Sequence, residues 1–363
     1  MSGRRSKAGV LALAATLAVL ALAPARAAAW VVRGHGSGHG IGLSQYGAYG
    51  YAQHGLGHQA ILAYYYTGTT IGNAGGKVVR VLVGTGGDTR FSNATSACGQ
   101  ALNPSRAYRA HPHGGGVRLL SGSGKAIANC GAKLHADGNG YVNIGGVGKY
   151  RGSFEAVPSG GGLNLVNALG VDEYAQGVVA REMPASWPLA ALRAQAVAVR
   201  SYALTSSVGG KGFNLYADTR SQVYGGIAAE TASTNKAVQS TAGQTVTYNG
   251  KTAQTFFFAC SGGMTENIEF AFIGSSPVPY LKGVPDPYDG ACPLHSWTRS
   301  FNPSSLGGYF SGRFEGLKVT KTGVSPRVVY AKVLGSRGSK TIRGDTLQSA
   351  LGGYSSWIRI KRR

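Results

Sequence analysis

VDEYAQGVVAREMPASWPLAALRAQAVAVRSYAL, residues 171–204, reads as two helices joined at a proline-bounded corner, with one acid, Glu182, where they meet. Asp172 suits an N-cap, and Pro184 stops the first helix just after Met183. Ala175, Val178, Val179 and Glu182 recur on one helical face, so the acid ends an apolar stripe. Burial and the negative end of the helix dipole would both raise the pKa of such a carboxyl. Spacing alone leaves two readings, a solvated last-turn Glu or a buried acid able to donate a proton. In the second helix Ser186 suits an N-cap and Pro188 the first turn, and Leu189, Leu192, Ala196, Val199 and Ala203 keep the helical period. Arg193 and Arg200, seven residues apart, share one side; they bind an anion, order a loop, or form a solvated basic face.

Around this pair the chain divides into segments 1–29, 30–76, 77–166 and 167–363. Segment 30–76 holds a glycine-rich His loop and short helices beginning near Ser44 and His58. Segment 77–166 is strand and turn, with β-rich runs VVRVLVG, GVRLLSG, GYVNIGG and YRGSFEAV separated by Gly, Ser and Asn. In segment 167–363 a hairpin over residues 246–258 turns on Asn249-Gly250, a type I′ pair. Strands near residues 317–319, 327–334 and 357–360 complete a mixed sheet. The expected fold is α+β, a helical pair packed on a mixed or antiparallel sheet, with a β-rich insertion.

Arg4, Arg5 and Lys7 precede an apolar run over residues 8–22, and Ala25-Arg26-Ala27 offers a small-residue cleavage site. The run is shorter than the ~20 residues a spanning helix needs, so segment 1–29 reads as a signal peptide and not an anchor. Cleavage removes Arg4, Arg5, Lys7 and Arg26 and lowers the net charge from +22 to +18. A basic exported protein is expected to meet anionic wall polymers or lipid surfaces; the scattered charge and the absence of a binding module speak against nucleic acid. Cys98 with Cys130 and Cys260 with Cys292 form two sequence-local pairs, read as disulfides worth ~3–4 kcal/mol each. His295 leaves a zinc site with Cys260 and Cys292 as the other reading of the second pair. His35 and His39, set among alternating glycines, suit close backbone approach or substrate binding before metal ligation.

Several further runs accompany the helical pair: GVV-x-x-EMP at 177–184, WP-x-x-AL-x-AQA at 187–196, RSYA at 200–203, Asp218 with QVYG at 222–225, SGGMTE at 261–266, and YLKGVPDPYD at 280–289. Together with GHGIGLSQYGA at 38–48 and ILAYYYTGT at 61–69, they resemble the stage II sporulation protein D family, which includes modifier or enhancer proteins of cell-wall amidases. In the sporulation proteins the GHG-x-G-x-SQYGA motif comes last, whereas here it comes first, which reads as a circular permutation and predicts that the motif packs against the Glu182 helices. Asp218, Thr219, Arg220 and Ser221 lack the Cys and His that ligate a structural zinc in some members, so neither metal nor other cofactor is expected. Ala190 stands where the family usually carries an acid.

The resemblance implies a lytic transglycosylase acting on peptidoglycan glycan strands. One acid suffices for that reaction because the muramic sugar supplies its own primary hydroxyl as nucleophile. The acid falls on Glu182, and the glycan-holding roles on Arg200, Gln222, Tyr224, His39, Ser44, Gln45, Tyr46, Asp218 and Ser261. Glu266, Asp286 and Asp289 are candidates for support. Two other readings stay open: a non-catalytic wall-binding enhancer of an amidase or autolysin, and a zinc hydrolase built on His35 and His39.

Overall fold

The computed structural model describes residues 30–206 and 208–363; the signal-peptide expectation for 1–29 lies outside the described residues. Five helices build the core: α1 (Gln45–Gln53), α2 (His58–Tyr65), α3 (Val171–Glu182), α4 (Leu189–Thr205) and α5 (Ala232–Gln239). None in the described residues is long and apolar enough to cross a membrane.

The corner between α3 and α4 forms for the reasons written in its prolines. Pro184 forces Met183 into extended backbone (φ −131°, ψ 142°), which ends α3 at Glu182. The start sites differ from expectation. Gly170, not Asp172, caps α3, because the Asp172 carboxylate is taken by Arg200 and by the Gly243 N–H. Glu173 serves the α3 entrance instead, accepting from the Gly170 N–H at 3.2 Å. Ser186 lies in a turn closed by Trp187 N–H donating to the Pro184 carbonyl, so α4 begins only after Pro188. Helix α4 is buried on nearly every side, as a helix apolar around its circumference must be. It packs against α1, α2, α3 and α5.

Residues 78–216 contribute an eleven-stranded sheet, in which Val78–Gly86 pairs antiparallel with Gly162–Gly170 and parallel with Leu215–Tyr216. The strand Gly162–Gly170 runs straight into α3, so the β-rich segment carries the helical pair on its own sheet. Asn249 and Gly250 adopt positive φ (49° and 74°) and turn Gln244–Tyr248 back onto Lys251–Thr252. The second arm of that hairpin stops at Thr252, and Phe257–Phe258 pairs in parallel with Leu43–Ser44 of the GHG segment instead. The C-terminal strands are present as Phe314–Thr322, Val328–Gly335 and Ile358–Arg362, yet they do not join one mixed sheet. The first two belong to a four-stranded antiparallel sheet, and the third flanks Trp30–His35 in a three-stranded one. Val32, Trp297, Leu306, Phe314, Ala331, Val333 and Leu347 form a separate core between these sheets. The expected segment 167–363 thus divides its apolar side chains between two clusters.

The pairs Cys98–Cys130 and Cys260–Cys292 are both disulfides, which overturns the zinc alternative for the second pair. Among the described residues no three His, Cys, Asp or Glu side chains gather as a metal-holding group.

Candidate functional site

Helix α3 delivers Glu182 to the corner because Ala175, Val178 and Val179 of the same stripe are buried. The half-buried carboxyl meets two donors. Gln45 Nε2 donates to Oε2 at 3.2 Å, and the Val223 N–H to Oε1 at 3.4 Å, a long contact. No ion pair among the described residues includes Glu182. Burial raises its pKa above the ordinary Glu value, and the bonds from Gln45 and Val223 offset that only in part. The acid is therefore poised to hold a proton that a solvated Glu would lose.

Gln45 reaches Glu182 because the GHG segment is strapped to the core. Gly36, Gly38, Gly40 and Gly42 all take positive φ, between 72° and 101°, which lets the loop lie flat against residues 256–266. Ser37 and Cys260 exchange backbone bonds, Glu266 N–H donates to the Gly40 carbonyl, and Tyr46 N–H to that of Ala259. Ser44 then caps α1, accepting from the Gly47 N–H at 3.2 Å. Under this helix start Asp286 is fully buried, accepts from Tyr65 Oη at 2.8 Å, and is pushed by burial up to about 6. A Cβ at position 47 would collide with that carboxyl and with the Tyr65 hydroxyl, which explains the glycine of SQYGA.

The other proposed glycan contacts part company. Tyr46 lies at the site, its ring 4.8 Å from that of Trp187, with Tyr49 4.9 Å from the same indole. All three rings are half-buried and offer an aromatic edge beside Gln45. Gln222 is buried next to the Val223 contact; its Oε1 accepts from Tyr174 Oη at 3.0 Å and its Nε2 has no partner among the described residues. Tyr224 is buried and donates to Asn167 Oδ1, which makes it a packing residue. Arg200 does not face a ligand either: it is 0 % exposed and spends its donors on Asp172, the Val238 carbonyl and Thr241 Oγ1. Ser261 is fully buried and donates to Asp289 Oδ2. Asp218 is exposed and clasped by Arg220, whose hydrogen bonds lower its pKa to about 2.

His39 sits elsewhere, enclosed by Phe256, Phe258 and Phe272 at the edge of a separate cavity of about 500 Å³ that Glu182 does not line. Its Nδ1 accepts from the Ile41 N–H, and burial followed by the nearby Arg327 charge drops its pKa to about 4, so the ring is neutral. His39 is therefore not placed to hold a glycan beside Glu182, because the loop's aromatic neighbours enclose its imidazole. Glu266 accepts from Asn267, Val324 and Ser325 N–H groups and Asp289 from Gly262 N–H, so both acids order loops. Sequence reasoning missed Trp187 as a site residue and reached Tyr49 only as part of the Tyr-rich stretch after Ser44, read as stacking on sugars or packing in the core. The signal was available in principle: Tyr49 lies one helical turn from Gln45, and Trp187 sits at the proline corner.

Gly177 fixes the other side of the site. Its carbonyl accepts from the Gly225 N–H at 3.0 Å, and a Cβ there would run into the Tyr224 ring. Gly177→Ala is expected to push the 222–226 loop off α3, lowering stability by about 1–3 kcal/mol and loosening the Val223 contact. A thermal melt that matched wild type would contradict this packing.

A model of the stage II sporulation protein family matches residues 159–248, which include Glu182 and the QVYG loop. The stage II sporulation protein D of Bacillus subtilis is 33% identical over 218 residues, covering 54% of this chain and 62% of that protein. The amidase enhancer of the same organism is 39% identical over 131 residues, 36% of this chain and 17% of that protein. An uncharacterised protein of Brachyspira hyodysenteriae is 35% identical over 161 residues, 44% of this chain and 43% of its own length. The chain thus spans less than two thirds of each of these relatives. The matched core holds the buried acid and the SQYGA helix is seated on it, and over these residues the chain is similar to the stage II sporulation protein D and amidase-enhancer family.

Proposed function

We propose that this protein is an exported peptidoglycan lytic transglycosylase with Glu182 as its single acid and base. The observation that carries the reading is a half-buried carboxyl, raised in pKa, with amide and backbone donors but, among the described residues, neither a cation nor a second carboxylate on its oxygens. Ordinary glycosidases divide the work between two carboxyl groups. Here protonated Glu182 gives its proton to the glycosidic oxygen as the C–O bond breaks. The resulting carboxylate then takes the proton of the muramic primary hydroxyl as that oxygen closes on the anomeric carbon, leaving a 1,6-anhydro end and a neutral acid. Gln45 fixes the carboxyl rotamer, and the Tyr46, Tyr49 and Trp187 edge suits stacking on sugar rings.

Names of the relatives support a cell-wall and sporulation setting, with an amidase as a partner. The two disulfides suit an oxidising, extracytoplasmic location. The test is mass spectrometry of peptide-free glycan strands incubated with the protein. Anhydro-muramic ends made by wild type and lost in Glu182→Gln are the expected result. No cleavage by wild type, with wall binding retained by both proteins, would replace the enzyme with a non-catalytic enhancer of an amidase.

A further inference from the structure

Much of the chain's positive charge lies away from Glu182. Residues 294–363 hold 13 Lys and Arg against Glu315 and Asp345, a net +11, and pack around the second core together with strand Trp30–His35. Both acids are engaged locally, Glu315 with Arg313 and Asp345 with Arg343. Within this unit like charges face each other across strands. Lys318 is opposite Lys332, and Arg33 is directly opposite Arg359. Such pairs bring Cβ atoms to ~5 Å and oppose folding unless something neutralises them. Arg33 and Arg359 are both exposed, and neither has an ion-pair partner among the described residues.

The two arginines line one cavity of about 370 Å³ with His35, Pro326, Trp357 and Ile358. Trp357 forms an apolar wall, its ring 5.2 Å from that of His35. Behind it the buried Arg327 guanidinium lies 5.8 Å from the indole, its charge offset by Glu266 and Asp289, so the two strand arginines carry the positive charge of the pocket. His35 is held below its usual pKa by burial first and by His295 and Arg359 next, so it contributes a neutral hydrogen-bonding edge.

We propose that this pocket binds one phosphodiester group of a polyanionic polymer, with Arg33 and Arg359 gripping the phosphate from opposite strands. A guanidinium fork matches two oxygens of one anion. A phosphodiester sets its two free oxygens on a tetrahedral centre, wider apart than those of a carboxylate, and keeps its charge at every working pH, so two forks can share it. The cavity exceeds a lone phosphate and has an apolar wall for the adjoining polymer unit. The surrounding field of the C-terminal unit then favours a chain of such groups over a single one. This site is independent of the glycan-cleaving reading, since none of its residues touches Glu182.

Binding of the full-length protein to long-chain inorganic polyphosphate, followed by calorimetry at fixed salt, tests the assignment, with poly-glutamate as the carboxylate comparator. Arg33→Gln and Arg359→Gln are each expected to weaken polyphosphate binding about tenfold. Arg33→Lys, which keeps the charge but not the fork, is expected to weaken it about threefold. Arg313→Gln, which removes the same charge outside the pocket, should change it less than twofold. Removing one member of a like-charge pair should leave the melting temperatures of Arg33→Gln and Arg359→Gln at or above wild type, so a loss of binding reports the pocket and not unfolding. An Arg313→Gln loss equal to that of Arg33→Gln, poly-glutamate binding as tight as polyphosphate, or no polyphosphate binding by wild type would overturn the proposal.

Discussion

Glu182→Gln is expected to lose strand cleavage by about 10³–10⁴-fold while melting at a higher temperature than wild type at neutral pH. The loss follows from one group serving both proton transfers, each of which general acid–base catalysis accelerates by roughly 10²–10⁴-fold. The stability gain follows from burial. Because the folded pKa of Glu182 lies above its ordinary value of 4.5, the fold favours the protonated carboxyl. Its contribution is fully present below the unfolded pKa and is lost as pH rises through the folded one. A neutral amide has no such loss. The variant should melt above wild type near pH 7, a difference that shrinks toward zero near pH 4. Melting curves of both proteins from pH 4 to pH 8 check this. Identical curves at every pH would mean that Glu182 is an ordinary solvated residue, and the catalytic reading would lose its physical basis.

The same proton sets the direction of the activity profile. Cleavage needs protonated Glu182 first, so kcat/KM should fall on the alkaline side as the acid ionises. Gln45 stabilises the carboxylate, so its removal shifts that limb to higher pH even as misorientation of the acid lowers the rate.

The α3 stripe was legible because burial of Ala175, Val178 and Val179 is a local consequence of helical spacing, and Pro184 is a local stop. The turn at Asn249-Gly250 was legible for the same reason: its backbone conformation belongs to two residues. What failed depended on distant partners. Asp172 has the chemistry of an N-cap, yet Arg200, 28 residues away, claims its carboxylate. The hairpin's second arm has the composition of a strand, yet Leu43–Ser44 competes for Phe257–Phe258. The Gln45 contact to Glu182 spans 137 residues, and no periodicity reports such a pairing; only the resemblance pointed toward it. Arg200 misled most, since a cation on a helix face reads as surface until the neighbouring carbonyl and hydroxyl that bury it are known.

That burial makes Asp172 a residue whose loss the fold should tolerate poorly. Arg200 is 0 % exposed, and its Nε donates to Asp172 Oδ1 at 2.5 Å, while Nη2 and Nη1 donate to the Val238 carbonyl at 2.7 Å and to Thr241 at 3.2 Å. The guanidinium ties the start of α3, through Asp172, to the end of α5. Asp172→Ala removes its only anionic partner among the described residues and strands a positive charge among apolar helices. The expected loss is about 2–4 kcal/mol, below the full range for a buried pair because the Asp172 side chain is 38 % exposed and partly screened by water. Arg200→Met in the same background should recover much of it, since an unbranched apolar chain fills the space without a charge to satisfy. If Arg200 instead gripped the substrate, Arg200→Met would leave the melting temperature unchanged and raise KM alone. Denaturant unfolding of Asp172→Ala, Arg200→Met and the double variant separates the two: a double variant more stable than Asp172→Ala identifies Arg200 as the buried clamp between α3, α4 and α5, whose positioning of Glu182 is indirect.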